Sequence, residues 1–103
     1  MDMTQEREGA ILQAAIETFG YEAQTDMMIE EMSELTKALL KHRRAVQRLN
    51  TDEDTIAAIR EEMADVSIVL DQMELLYGDY SEYRKAKLER LAKRIREEAQ
   101  ANE

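Results

Sequence analysis

Glu31-Met32-Ser33-Glu34 and Glu62-Met63-Ala64-Asp65 are the segments of this 103-residue chain whose residue types and spacing suit chemistry. A spacing of three places both carboxylates of each pair on one side of a helix. Within the run Met63-Ala64-Asp65-Val66-Ser67-Ile68-Val69-Leu70, Asp65 is expected close to a packed surface. An ionised group there is costly unless a counter-charge sits beside it, and a divalent metal ion is the simplest one. Four carboxylates converging without a cation raise one another's pKa. Mg²⁺ prefers about six oxygen ligands, keeps some water and presents its open positions to phosphate oxygens. The plainer reading makes Glu30, Glu31 and Glu61 a solvated face paired with Lys37 or nearby arginines, which leaves Asp65 unexplained.

These pairs can meet only if two helices bring them together. Periodicity and capping signals predict four helices. The first spans Thr4 to Thr18, with Leu12, Ala15, Ile16 and Phe19 on one side and Gly20 as its stop. The second starts near Thr25 or Asp26 and carries Met28, Met32, Leu35, Leu39 and Val46 towards Leu49. Asn50-Thr51-Asp52 restarts the chain, and a third helix presents Ile56, Ile59, Met63, Val66, Leu70 and Met73 before Gly78. Ile68 and Leu75 point away from that stripe, so this helix needs cover on more than one side, which a second subunit would give. The fourth starts near Ser81 and sets Leu88, Leu91, Ala92 and Ile95 among many charges. An antiparallel second and third helix would put residues 32–34 opposite 67–69, within about one turn of Glu62 and Asp65.

Composition agrees with an all-α bundle of about four helices in a single domain spanning residues 1–103. There is no Pro, only three Gly, and a wealth of helix-forming residues. A core of this size leaves apolar surface over, so a homodimer or homotetramer is expected. The net charge of −9 argues against binding a nucleic acid polymer, although Lys41, Arg43, Arg44 and Arg48, and the stretch from Arg84 to Arg96, form local basic patches. No apolar stretch approaches the roughly 18 residues of a membrane span and the first residues lack a signal pattern, so a cytoplasmic location is expected. With no Cys, disulfides, a thiolate nucleophile and Cys-based zinc or iron–sulfur sites are excluded. No Gly-rich phosphate loop and no Glu-x-x-His is present, which excludes a P-loop and the di-iron pattern.

Taken together, Glu31-x-x-Glu34, 27 intervening residues, and Glu62-x-x-Asp65 resemble the signature of the MazG-like members of the all-α nucleoside triphosphate pyrophosphatases. Ile29 to Leu35 and Arg60 to Val66 look like the two halves of that family's core. Phe19 to Gln24 and Tyr83 to Leu91 resemble short phage-type members. The resemblance implies hydrolysis of a (deoxy)nucleoside triphosphate to monophosphate and pyrophosphate. Glu31, Glu34, Glu62 and Asp65 would hold Mg²⁺, or Mn²⁺ in its place, for attack of an activated water on the α-phosphorus. Lys87 and Arg90 resemble the family's C-terminal basic motif, with Arg94 extending the face, and would contact phosphates. Leu91 stands where the family often has an aromatic residue.

Gln24 is a further candidate for hydrogen bonding to base or phosphate, and Phe19, Tyr21 or Tyr83 for stacking. His42, among Lys41, Arg43 and Arg44, reads as a surface residue. The competing functions are a non-catalytic acidic helical interaction module and a nucleotide-binding sensor that does not hydrolyse its ligand.

Overall fold

The computed structural model describes residues 4–48 and 53–102, and the expected break at Asn50-Thr51-Asp52 lies outside them. Four helices follow in order: α1 Gln5–Phe19, α2 Tyr21–Gln47, α3 Glu53–Tyr77 and α4 Ser81–Ala101. No strand occurs among the described residues, and no helix there is long and apolar enough to cross a membrane.

Thr4 caps α1, its side-chain oxygen accepting a hydrogen bond from the Arg7 N–H at 3.1 Å. Gly20 ends the helix at φ +91, a backbone state that side chains disfavour, while its N–H bonds Ile16. The sequence expectation that α2 starts near Thr25 or Asp26 is corrected: it starts at Tyr21, directly behind Gly20. The Gln24 N–H already donates to the Gly20 carbonyl, so no separate Thr or Asp cap is needed. At the other end, Gly78 (φ +108) closes α3. The Asp79 carboxylate then receives the Ser81 N–H and hydroxyl, starting α4.

α2 and α3 form an antiparallel pair, with α1 laid against both. Gln24 meets Gln72, His42 meets Thr55 and Thr25 meets Tyr77. The register therefore differs by about one helical turn from the expected facing of 32–34 with 67–69. Gln24, Glu31, Ala38 and Ala45 recur every seven residues along the seam of α2, and Thr55, Glu62, Val69 and Leu76 along that of α3. All eight are buried or half-buried. The Ile56-to-Met73 stripe is thus off-centre: Ile59, Val66 and Met73 are half-buried, while Ile56, Met63 and Leu70 are exposed.

The fourth helix does not join this layer. It packs on none of the others among the described residues, and every residue of it is exposed. The radius of gyration is accordingly 18.0 Å, against about 13 Å for a compact chain of this length. Val69 is the one apolar side chain that is buried among the described residues.

Candidate metal centre

Carboxylates from facing helices converge halfway along the α2–α3 seam. Glu31 projects from the inner line of α2 and Glu62 from that of α3, with Asp65 one turn further on. One oxygen from each of these three lies within 4.8 Å of the others. Two helices supply them because Glu31 and Glu62 both fall on the seven-residue seam, the line of each helix that faces the other. Glu31 and Glu62 are half-buried and Asp65 is exposed.

Confinement between the helices pushes the Glu31 carboxyl above its ordinary 4.5, and the negative charges of Asp65 and Glu62 add to the shift, followed by those of Glu30 and Glu34. Glu62 is raised for the same reasons, desolvation first and then Asp65, Glu34 and Glu61. The cluster is therefore electrostatically frustrated as the protein stands. Its donor set is entirely carboxylate oxygen, which suits a hard cation. Oxygens in one octahedral Mg²⁺ shell lie within about 4.2 Å of each other, so 4.8 Å asks for only a small side-chain adjustment.

Two sequence expectations change here, for Asp65 and His42. Asp65 is not held in apolar surroundings: it sits off the inner line, exposed at the mouth of the cluster, and the neighbouring Met63, Ala64 and Ile68 are exposed too. Gln24 is buried, and its amide donates one N–H to the Gln72 side-chain oxygen at 2.6 Å. His42 is half-buried rather than a surface residue, its Nδ1 lying 2.9 Å from the hydroxyl of buried Thr55.

Of the remaining site residues, Glu34 flanks the cluster but lies outside the close group of three, and its carboxylate pairs with Lys37 at 3.4 Å. Lys87, Arg90 and Arg94 stand on α4, which a single copy holds away from α2 and α3. The aromatic candidates Phe19, Tyr21 and Tyr83 are 58 to 73% exposed at helix ends and do not line the acidic mouth.

Gln72 and Thr55 are the buried polar partners that the residue pattern hid. Counting sevens back from Val69 through Glu62 reaches Thr55, so a seam signal existed for that residue. Gln72, three past Val69, carries none. No protein-family model matches the chain, and no curated protein or solved structure matches it.

Proposed function

We propose that this chain is a Mg²⁺-dependent hydrolase of the MazG-like type, converting (deoxy)nucleoside triphosphates to monophosphate and pyrophosphate. The observation that carries the reading is the approach of Glu31, Glu62 and Asp65 to within 4.8 Å across two helices. It is supported by the upward push on the Glu31 and Glu62 carboxyls, which a bound cation would relieve.

In this reading Glu31, Glu62 and Asp65 hold the ion, and Glu34 joins them by releasing Lys37. Bound Mg²⁺ supplies polarisation of phosphate oxygens and a more acidic water at neutral pH. The exposed position of Asp65 leaves the ion accessible to a triphosphate from solvent. Lys87, Arg90 and Arg94 neutralise the phosphates as pyrophosphate leaves. That contribution requires α4 to reach the mouth, either by turning at Gly78–Tyr80 or from another copy of the chain.

The test is pyrophosphate release from ribo-, deoxyribo- and modified triphosphates with Mg²⁺, Mn²⁺ or chelator, with the monophosphate identified as product. Millimolar Mg²⁺ should also raise the melting temperature, since a ligand of the folded state alone stabilises it by mass action. No turnover together with no Mg²⁺-specific stabilisation would select the second reading, an acidic helical interaction module. One observation favours that alternative: α4 offers Leu88, Leu91 and Ile95 to solvent with nothing packed on them.

A further inference from the structure

Where α1 lies against α3, the two helices leave a cleft of about 430 Å³ between them. That volume falls at the low end of the roughly 300–1,000 Å³ of small-molecule sites. The cleft continues from the carboxylate cluster: Asp65, Ile68 and Asp71 follow one another at a spacing of three along α3, and the last two line it. At a rise of about 1.5 Å per residue, Ile68 stands only about 4.5 Å further along the helix than Asp65. A ligand held at the acidic cluster can therefore extend into the cleft.

Its walls are apolar and its polar groups are mostly acceptors. Ile11 and Leu12 of α1 and Ile68 of α3 supply the apolar lining, with Ile11 and Ile68 each 50% exposed. Glu8 of α1 and Asp71 of α3 add a carboxylate from each helix, and Gln5 stands one turn before Glu8. No Lys or Arg lines the cleft among the described residues. Carboxylates only accept hydrogen bonds, whereas the Gln5 amide also donates.

Gly9 is an independent sign of a ligand. It lies inside α1, where glycine weakens a helix relative to alanine. Neither usual structural reason for a glycine applies. Its φ is not positive, unlike those of Gly20 and Gly78, and a methyl group in its place would meet nothing within 4 Å among the described residues. The missing side chain thus makes room for no part of the chain itself. Gly9 lines the cleft, where bare backbone lets a flat ligand approach closely.

We propose, as an inference that rests on the hydrolase reading, that this cleft seats the base of the triphosphate and selects guanine. The ring lies between Ile68 and the Ile11–Leu12 wall, over the backbone of Gly9. Glu8 and Asp71 accept hydrogen bonds from the base edge and the Gln5 amide donates one. Guanine alone among the common bases presents two adjacent donors, N1–H and the N2 amino group, beside an acceptor, O6. In adenine and cytosine the amino group stands next to an unprotonated ring nitrogen, and in thymine and uracil the ring N–H is flanked by two carbonyls. A carboxylate facing any of those edges meets a lone pair.

Turnover of dGTP, dATP, dCTP and dTTP with Mg²⁺ should rank dGTP first in kcat/KM by about tenfold or more, the scale of a hydrogen bond to a charged group. The double variant Glu8→Gln, Asp71→Asn should remove that advantage and leave the other three substrates nearly unchanged. Gly9→Leu, which favours the helix while filling the cleft, should raise KM several-fold with helical circular dichroism and the Mg²⁺-dependent rise in melting temperature retained. A second measurement needs no turnover. Without Mg²⁺, millimolar deoxyguanosine should shift the methyl NMR signals of Ile11, Leu12 and Ile68 in the native chain but not in Gly9→Leu, and deoxyadenosine, deoxycytidine and thymidine should shift them less. Those shifts in a chain that turns over no triphosphate would sink the hydrolase reading and uphold the guanine cleft. Equal kcat/KM for all four bases overturns the inference, as does a dGTP preference that survives the double variant or the absence of a deoxyguanosine-specific shift.

Discussion

The α2–α3 seam and α4 are made of the same materials, apolar residues at spacings of three and four among abundant charges, yet they stand in opposite situations. Along the seam Gln24 bonds Gln72, His42 meets Thr55, and every position of the two seven-residue lines is at least half-buried. On α4, Leu88, Leu91 and Ile95 remain 47 to 61% exposed. The difference lies in charge and connection rather than in periodicity. α4 carries seven basic and four acidic residues, while the rest of the chain carries seven basic and nineteen acidic. A three-residue joint at Gly78–Tyr80 directs it away from the layer. Amphipathic spacing therefore identifies a face without identifying its cover.

The contrast can be broken most severely at the acidic end of the seam. Asp65→Asn should lower triphosphate turnover by about a thousandfold, the scale on which a preorganised electrostatic group contributes, with the fold retained by circular dichroism. Retained turnover would remove Asp65 from the site. Next in size, Val69→Ala should cost about 2 kcal/mol in urea unfolding, whereas Leu91→Ala on unpacked α4 should cost less than about 0.5 kcal/mol. Equal costs would mean that α4 is packed in solution.

A smaller effect separates pairing from burial. Gln72→Ala leaves the buried Gln24 amide unsatisfied and should cost about 1–3 kcal/mol, while Gln24→Leu with Gln72→Leu should recover most of it. A double variant as unstable as the single one would show that packing shape, not the 2.6 Å hydrogen bond, is what matters there.

The smallest expected effect is a pH slope. Glu31 and Glu62 hold protons more tightly folded than unfolded, so the native state binds more protons in this window. Their contribution to stability therefore falls as pH rises from the ordinary 4.5 through the raised folded values. Asp79, held below its ordinary value by the Ser81 hydroxyl and N–H, contributes with the opposite sign. Comparing the metal-free native chain with Asp65→Asn isolates the cluster. The variant should show a flatter decline and greater stability near neutral pH, and an unchanged slope would mean that the three carboxylates do not interact.

Much of the architecture was legible because local signals set it. Gly20 and Gly78 marked helix ends, and Thr4 and Ser81 marked starts, each through backbone geometry confined to a few residues. The register was not. Placing 32–34 opposite 67–69 assumed a turn centred on 50–52, and a small change in that turn slides one helix along the other without altering either pattern. The convergence of the two acidic motifs survived the slide, since Glu31 and Glu62 occupy equivalent seam positions. What failed was the expected surroundings of Asp65 and the surface placement of His42. Both depend on the angle a side chain makes with its neighbour helix, which linear spacing leaves undetermined when apolar residues occur on several sides of a helix.

Gly20 also has a mechanical consequence. One residue joins α1 to α2, and its carbonyl already accepts the Gln24 N–H while its own N–H serves Ile16. The N–H is fixed to α1 and the carbonyl to α2, so the angle between the two helices is set by just two bonds, the φ and ψ rotations of Gly20. Because glycine turns about both at low steric cost, α1 can change its tilt against the α2–α3 pair without unwinding either helix end.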